Sequence, residues 1–282
     1  VESWTKDQVK LKFTFENNNV HSVFYLLDHS AEESEHVTMN GYNHLEIGTT
    51  NLFRVYPEIN DEPKYQHYFK LLNTNDPYLE YLNSKTLYFR IPSFEFSEKQ
   101  KIDSVIIANK EKLLSTENLI IDIRNGTGGS DASYKEILPF LYTNPIRSVG
   151  VEYLSTSLNN QRMLDFINKP EYGFDEEGKD WAKKSFDLLN KELGKFVNLN
   201  ENIVTITKYD TIYSYPKNIG VIINHRNGST DEQFLLAAKQ SKKVKLFGTT
   251  TYGVLDVSNM YFVSSPCDDF ELAYSLSRSM RI

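Results

Sequence analysis

A five-residue apolar run, Ile219-Gly220-Val221-Ile222-Ile223, leads into Asn224-His225-Arg226-Asn227-Gly228-Ser229-Thr230-Asp231-Glu232-Gln233-Phe234 and then Leu235, Leu236, Ala237 and Ala238. An apolar run broken by Asn-Gly and followed by further apolar residues reads as buried strand, tight turn and helix. Ser229 then sits on the turn where the helix begins. Amides in a helix's first turn lack intrahelical acceptors, and the helix dipole favours negative charge beside them. That is a suitable place for a nucleophile. Ser229-Thr230-Asp231-Glu232 also has the form of a capping box, in which Ser229 accepts from the amide at Glu232 and Glu232 reaches back. From these residues alone, the plainer expectation is a cap.

A second stretch upstream changes the balance: Leu119-Ile120-Ile121-Asp122-Ile123-Arg124-Asn125-Gly126-Thr127-Gly128-Gly129-Ser130-Asp131. It reads as another buried strand, ending in a glycine-rich turn, with a helix expected through Tyr134, Ile137, Leu138 and Leu141. Glycines at such a turn allow positive φ and let several N–H groups converge on one point as an anion-binding nest. No Gly-Lys-Ser/Thr follows and the Gly-x-Gly-x-x-Gly spacing is absent, which excludes the phosphate loop and the dinucleotide fingerprint.

Together the two stretches resemble the C-terminal processing (tail-specific) and tricorn-type serine peptidases. In that family a strand ending Asp-x-Arg-x-Asn-Gly-Gly-Gly supplies an oxyanion-hole amide, and a strand-turn-helix of the form Ser-x-x-Glu carries the nucleophile. Tyr88-Phe89-Arg90-Ile91-Pro92-Ser93-Phe94 is similar to the family's early strand, and Lys239 through Gly253 is similar to its helix-strand-turn after the nucleophile. The resemblance covers roughly residues 85 to 282 and implies Ser229 as nucleophile, with backbone N–H groups of Gly128 and Thr230 as the oxyanion hole. Which of Gly126, Gly128 and Gly129 points inward stays open. The processing-protease branch places a lysine base after the glycine of a Thr-Phe/Tyr-Gly turn; after Gly253 this chain has Val254. Valine cannot accept a proton, so the tricorn-like branch is the better match. That branch takes a histidine from before the strand core and a glutamate from after it.

Composition sets wider bounds. With 282 residues, 40% hydrophobic and 24% charged, the chain is of ordinary globular composition and long enough for one to two domains. A net charge of −7, with basic residues clustered only over Lys239–Lys245, argues against nucleic acid as a partner. No apolar run is long enough to span a membrane, and the first residues lack the regions of a signal peptide. The single cysteine, Cys267, excludes an internal disulfide and a cysteine-based zinc site.

Residues 1–60 read as a β-rich segment, with a hairpin from the alternation Val9 to Phe15, the turn Asn17-Asn18-Asn19 and the run Val20 to Leu27. Asp28-His29-Ser30 looks like a triad, but neighbours in an extended chain point to opposite faces. Residues 61–84 read as a connector, and residues 85–282 as an α/β catalytic core with a helical insertion over about 158–197. A helix through Ile102 to Leu113 joins the strands at Arg90-Ile91 and Ile120, a βαβ unit with parallel strands. The resemblance identifies this core as the Clp/crotonase-like ββα superfold.

The expected function is therefore that of a serine endopeptidase acting on peptide or protein substrates, with no cofactor and no metal. The competing reading is a catalytically incomplete family member that binds peptides or serves as a scaffold. His225 is a further candidate base, poorly aimed from a strand end. Residues 1–282 alone are expected to hydrolyse peptides poorly, since an unassisted serine hydroxyl is a weak nucleophile. Localisation in the cell envelope, periplasm or outside the cell is what the resemblance implies.

Overall fold

The computed structural model describes residues 74–267 and 269–281 and, before them, the backbone of six strands. The chain divides into two compact units, Val1–Leu71 and Leu72–Ile282. In the first, β1 (Ser3–Trp4), β2 (Gln8–Thr14), β3 (Val20–Asp28), β4 (Thr38–Met39), β5 (His44–Ile47) and β6 (Thr50–Val55) form one sheet in the order β1-β2-β3-β6-β5-β4. The alternating run around Leu11 pairs antiparallel with β3, Phe13 opposite His21, as a hairpin requires.

The second unit is built on a five-stranded sheet, assembled from β7 (Tyr78–Asn83), β8 (Thr86–Arg90), β9 (Asn118–Asp122), β14 (Asn218–Ile223) and β15 (Val244–Gly248), in the order β15-β14-β9-β8-β7. β8, β9, β14 and β15 run parallel, and β7 joins antiparallel at the edge. Between β9 and β14 the chain forms β10 (Ile146–Val149), β11 (Val151–Leu154), β12 (Phe196–Asn198) and β13 (Val204–Thr207), and after β15 it forms β16 (Val257–Ser264) and β17 (Glu271–Ser279). β10 pairs with β13, while β12-β11-β17-β16 make a separate antiparallel sheet.

Parallel strands need crossovers, and here they are largely helical. α1 (Lys99–Ala108) and the single turn α2 (Lys110–Leu113) connect β8 to β9. After β9 come a 3₁₀ turn at Asp131–Tyr134 and the short α3 (Leu138–Leu141), in place of the longer helix expected there. α3 ends because Tyr142 is extended. Residues 161–191 carry α4 (Gln161–Asn168) and α5 (Glu176–Lys191), and α6 (Thr230–Ala238) follows β14.

The apolar strands read as continuous hydrophobic runs because both of their faces are covered. Leu87, Phe89, Leu119, Ile121, Ile219 and Val221 form one core with Ile102, Ile106 and Leu113 of the first crossover and Phe234, Leu235, Ala237 and Ala238 of α6. α4 and α5 have their own small core of Met163, Leu189 and Val197, with Phe166 and Trp181 against it. The register sets Asp122 of β9 beside Arg90 of β8 and Ile222 of β14. The loops that leave β9 and β14 therefore start side by side at the carboxyl edge of the sheet.

Candidate active site

Asp122, the last residue of β9, is completely buried, and Arg90 beside it is 2% exposed. Buried charges persist only when paired and hydrogen-bonded. The Asp122 carboxylate accepts from the Tyr88 hydroxyl at 2.7 Å and from the Arg124 guanidinium at 3.0 Å (Nε) and 2.5 Å (Nη2). Arg90 donates Nη1 to the Asp122 carbonyl at 2.9 Å and lies 3.6 Å from its carboxylate. Burial alone pushes the Asp122 carboxyl up, but the hydrogen bonds from Arg124 and Tyr88 outweigh it and hold the group below its ordinary range.

From this anchor the chain enters the glycine turn. Gly126 donates its N–H to Ile123 at 3.1 Å, and Gly128 and Gly129 have φ of +100° and +138°. Gly129 pairs with Phe94 in an isolated parallel bridge, and Ser130 donates to the Phe94 carbonyl at 2.9 Å. A Cβ on Gly129 would come 2.3 Å from the Phe94 backbone, so only glycine fits. The rings of Phe94, Tyr134 and Phe234 pack in a triangle with centroids 5.4–5.7 Å apart. Each residue follows a different strand of the sheet, so the triangle ties three loops together from below.

Ser229 is the N-cap of α6 at φ 55°, ψ −120°, a conformation costly for a residue with a Cβ. It makes no side-chain cap bond. The capping-box expectation is thereby corrected. The positive φ turns the side chain away from the helix amides, and Ser229 is exposed between buried Gly228 and Thr230. Glu232 has been recruited elsewhere: buried, it accepts from Thr251 Oγ1 at 2.6 Å and from the amides of Gly253 at 2.8 Å and Val254 at 3.0 Å. It clasps α6 to the loop where the related lysine would stand. Val254 itself packs on the serine loop, since a Cβ on Gly228 would meet its Cγ2 at 3.1 Å.

The glycine turn and the serine turn touch. A Cβ on Gly128 would come 2.8 Å from Ser229 Cβ and 3.2 Å from the Thr230 amide nitrogen, and Thr230 Oγ1 donates to the Gly129 carbonyl at 2.9 Å. Two asparagines sew the loops together. Asn224 accepts from the Asn125 amide at 3.1 Å and donates to the Asn125 side chain at 2.8 Å; Asn227 donates to the Ile123 carbonyl at 2.6 Å and to Asp231 at 2.8 Å. Among the described residues, the N–H groups of Thr230 and Gly129 have no acceptor, whereas that of Gly128 lies near enough to the Asp231 carboxylate to lower its pKa.

Of the expected residues, Ser229, Gly128 and Thr230 thus share one small region. His225 is exposed at its rim. His29 lies outside the described residues, as do His36 and His67. Asn224, Asn227, Asp231 and buried Arg90 were not singled out from sequence; a charged residue inside the apolar strand Leu87–Ile91 was the available signal for Arg90. No group of His, Cys, Asp and Glu suited to a metal occurs among the described residues, and no helix among them is long and apolar enough to cross a membrane. Cys267 is exposed on a turn.

A mixed α/β fold with several sheets is shared with solved structures of CPAF. Mature CPAF complexed with lactacystin aligns at 15% identity over 98% of this chain and 60% of that one, with a TM-score of 0.51. A mutant form of CPAF aligns at 17% identity over 92% of this chain and 60% of that one, also at 0.51. The photosystem II D1 C-terminal processing protease aligns at 13% identity over 92% of this chain and 50% of that one, at 0.42. The chain therefore spans 60% of the length of the CPAF chains. Among curated proteins, none matches the sequence. Residues 85–280 match peptidase family S41, and the chain belongs to that family.

Proposed function

We propose that this protein is a serine endopeptidase of the tricorn-like branch, with Ser229 as nucleophile. The observation that carries the reading is a serine at positive φ, unused as a cap, with its Cβ 2.8 Å from the position a Gly128 Cβ would occupy. In the proposed step the Ser229 hydroxyl attacks a peptide carbonyl, its proton passes to a base, and the oxygen of the tetrahedral intermediate is held by backbone N–H groups. Thr230 supplies one donor and the Gly126–Gly129 turn the other. Gly128 is the donor implied by resemblance; its amide lies by the Asp231 carboxylate, whereas among the described residues the Gly129 amide has no acceptor. Loss of one such donor typically costs about 3 kcal/mol of transition-state stabilisation.

Val254 packed beside Gly228 supports the tricorn-like branch, since no amine stands at that position. The base is then a histidine and its partner a glutamate, assigned to the whole protein. The core is proposed to be of the Clp/crotonase-like ββα type, preceded by a β-rich segment over 1–60 and a connector over 61–84 whose last stretch, Tyr78–Asn83, supplies β7 to the core sheet. Substrates are peptides or proteins, no cofactor enters the mechanism, and an extracytoplasmic location accompanies the family reading.

A fluorophosphonate probe tests the proposal on the full-length protein, on residues 1–282 and on Ser229→Ala in each. Labelling of the full-length protein, lost in the alanine variant, is expected, with little labelling of residues 1–282. Brisk labelling of residues 1–282 would place the base within them, and replacing His225 and then His29 would identify it. A folded full-length protein that does not label would favour the peptide-binding or scaffold reading.

A further inference from the structure

Asp231 lies in α6 two residues after Ser229, and at 0% exposure it is as buried as any residue in the molecule. Its carboxylate is pressed beneath the glycine turn: a Cβ on Gly126 would stand 2.6 Å from Oδ2 and 3.0 Å from Oδ1. Oδ2 accepts from Asn227 Nδ2 at 2.8 Å. Oδ1 is buried and has no partner in hydrogen-bond geometry, although the amides of Gly128 and Gly228 are turned toward the carboxylate. A buried oxygen in that state is costly, and nearby N–H groups that approach it offset the cost. The carboxylate therefore pulls on both loops that frame Ser229.

Resting on the peptidase reading above, we propose that Asp231 is a positioning residue whose buried carboxylate orients the glycine turn beside Ser229. Drawing the Gly128 N–H inward fixes the following peptide, so that the Gly129 N–H is left to face an oxyanion. The carboxylate does this in its ionised form, because charge-assisted hydrogen bonds to N–H groups are the stronger kind. Protonation weakens the pull on Gly128 and Gly228 and loosens the turn.

The surroundings explain why this ionisation falls in mild acid. Burial pushes the Asp231 carboxyl up to about 6, against the hydrogen bond from Asn227 and the nearby amides of Gly128 and Gly228. Glu232, the next residue of α6, adds to the rise, while its own carboxylate is engaged by Thr251, Gly253 and Val254. The facing turn over residues 125–130 carries no acid or base, Asp131 follows it with its own carboxyl pushed up by burial, and the serine loop contributes His225 and Arg226, both exposed. Asp122, a buried carboxylate at the end of β9, is neutralised by its own arginines.

Amide NMR of the Ser229→Ala protein, titrated from pH 5 to 8, reads the coupling without relying on activity. The Gly128 and Gly228 amide resonances should move together with a midpoint near that of Asp231, and Asp231→Asn should abolish the movement. Asparagine keeps an oxygen for Asn227 but cannot ionise. Resonances that stay still, or that titrate equally in Asp231→Asn, would overturn the proposal. In the full-length protein, fluorophosphonate labelling of Ser229 should slow on the order of tenfold to a hundredfold in Asp231→Asn, as misplacement of a reacting group does. Its fall below pH 6 should also lose the component that follows the amides. Equal rates and equal profiles would remove Asp231 from the site. If the parent does not label at all, the peptidase reading fails by itself, and the amide titration still decides whether Asp231 governs the turn.

Discussion

Two buried aspartates stand near the ends of adjacent strands, and they behave in opposite ways. Asp122 closes β9 inside a cage of Arg90, Arg124 and Tyr88, which holds its carboxyl below the ordinary range despite burial. Asp231 enters α6 just after β14 with one asparagine, two approaching amides and no cation, and its carboxyl is pushed up to about 6. Both lie near the carboxyl edge of one sheet, Asp122 at the end of a strand and Asp231 in the first turn of a helix. The difference lies in the partners. An aspartate with cations anchors a loop at every pH near neutral, while an aspartate with only amides keeps its loop at the edge of a change.

The sharpest way to break this comparison is to remove each carboxylate in turn and follow urea unfolding at pH 8. Asp122→Ala takes the buried carboxylate from beside Arg90 and should cost about 3–5 kcal/mol, the usual penalty for breaking a buried pair. Asp231→Asn should cost little or be stabilising at that pH, because it removes a charge held without a cation and keeps an acceptor for Asn227. Comparable losses at both positions would mean that Asp231 has a cation partner after all.

A pH series sharpens it further. A carboxyl whose folded pKa lies above its unfolded value binds its proton more readily when folded, so its stabilisation is complete below the unfolded value and is lost as pH rises through about 6. Asp122, with its folded value depressed, has the reverse sign: its contribution is present above the unfolded value and lost as pH falls through the lower folded one. The unfolding free energy of the parent minus that of Asp231→Asn should therefore fall by roughly 2 kcal/mol between pH 4 and pH 7. A difference that is flat, or that rises, would contradict the assigned direction.

The smallest effect concerns the serine loop alone. Ser229 has φ 55° without the side-chain cap that would compensate it, whereas the positive φ values at Gly128 and Gly129 fall on residues that tolerate them. Ser229→Gly should raise thermal stability, by about 0.5–1 kcal/mol of relieved strain net of the added chain entropy, while abolishing fluorophosphonate labelling. A destabilised Ser229→Gly protein would show that the serine side chain holds the loop.

The sequence legibly contained both strand-turn junctions, the helix after Ser229, the parallel βαβ unit and the amino-terminal hairpin. Each is written in short-range terms: apolar runs such as Leu119–Ile121 and Ile219–Ile223, the glycines after Asn125, and the alternation around Leu11. The absence of a lysine after Gly253 was equally a matter of reading one position. What misled was Ser229-Thr230-Asp231-Glu232, whose spacing is that of a cap. A capping box is a local bargain among four residues, and here Glu232 bonds the loop 19–22 residues further on. Local spacing cannot anticipate an acceptor claimed from that distance.

The contacts of Asp122, Asp231, Asn224 and Asn227 were set only in three dimensions. Nothing in the order of residues sets Arg90 against Asp122 or Asn227 against Ile123; the strand register does, by laying β8, β9 and β14 side by side. Hydrophobic patterning is strong and periodic, so it dictates which segments are strands and helices from sequence alone. Polar wiring depends on a few ångströms between loops remote in the chain, and those distances exist only once the sheet has formed.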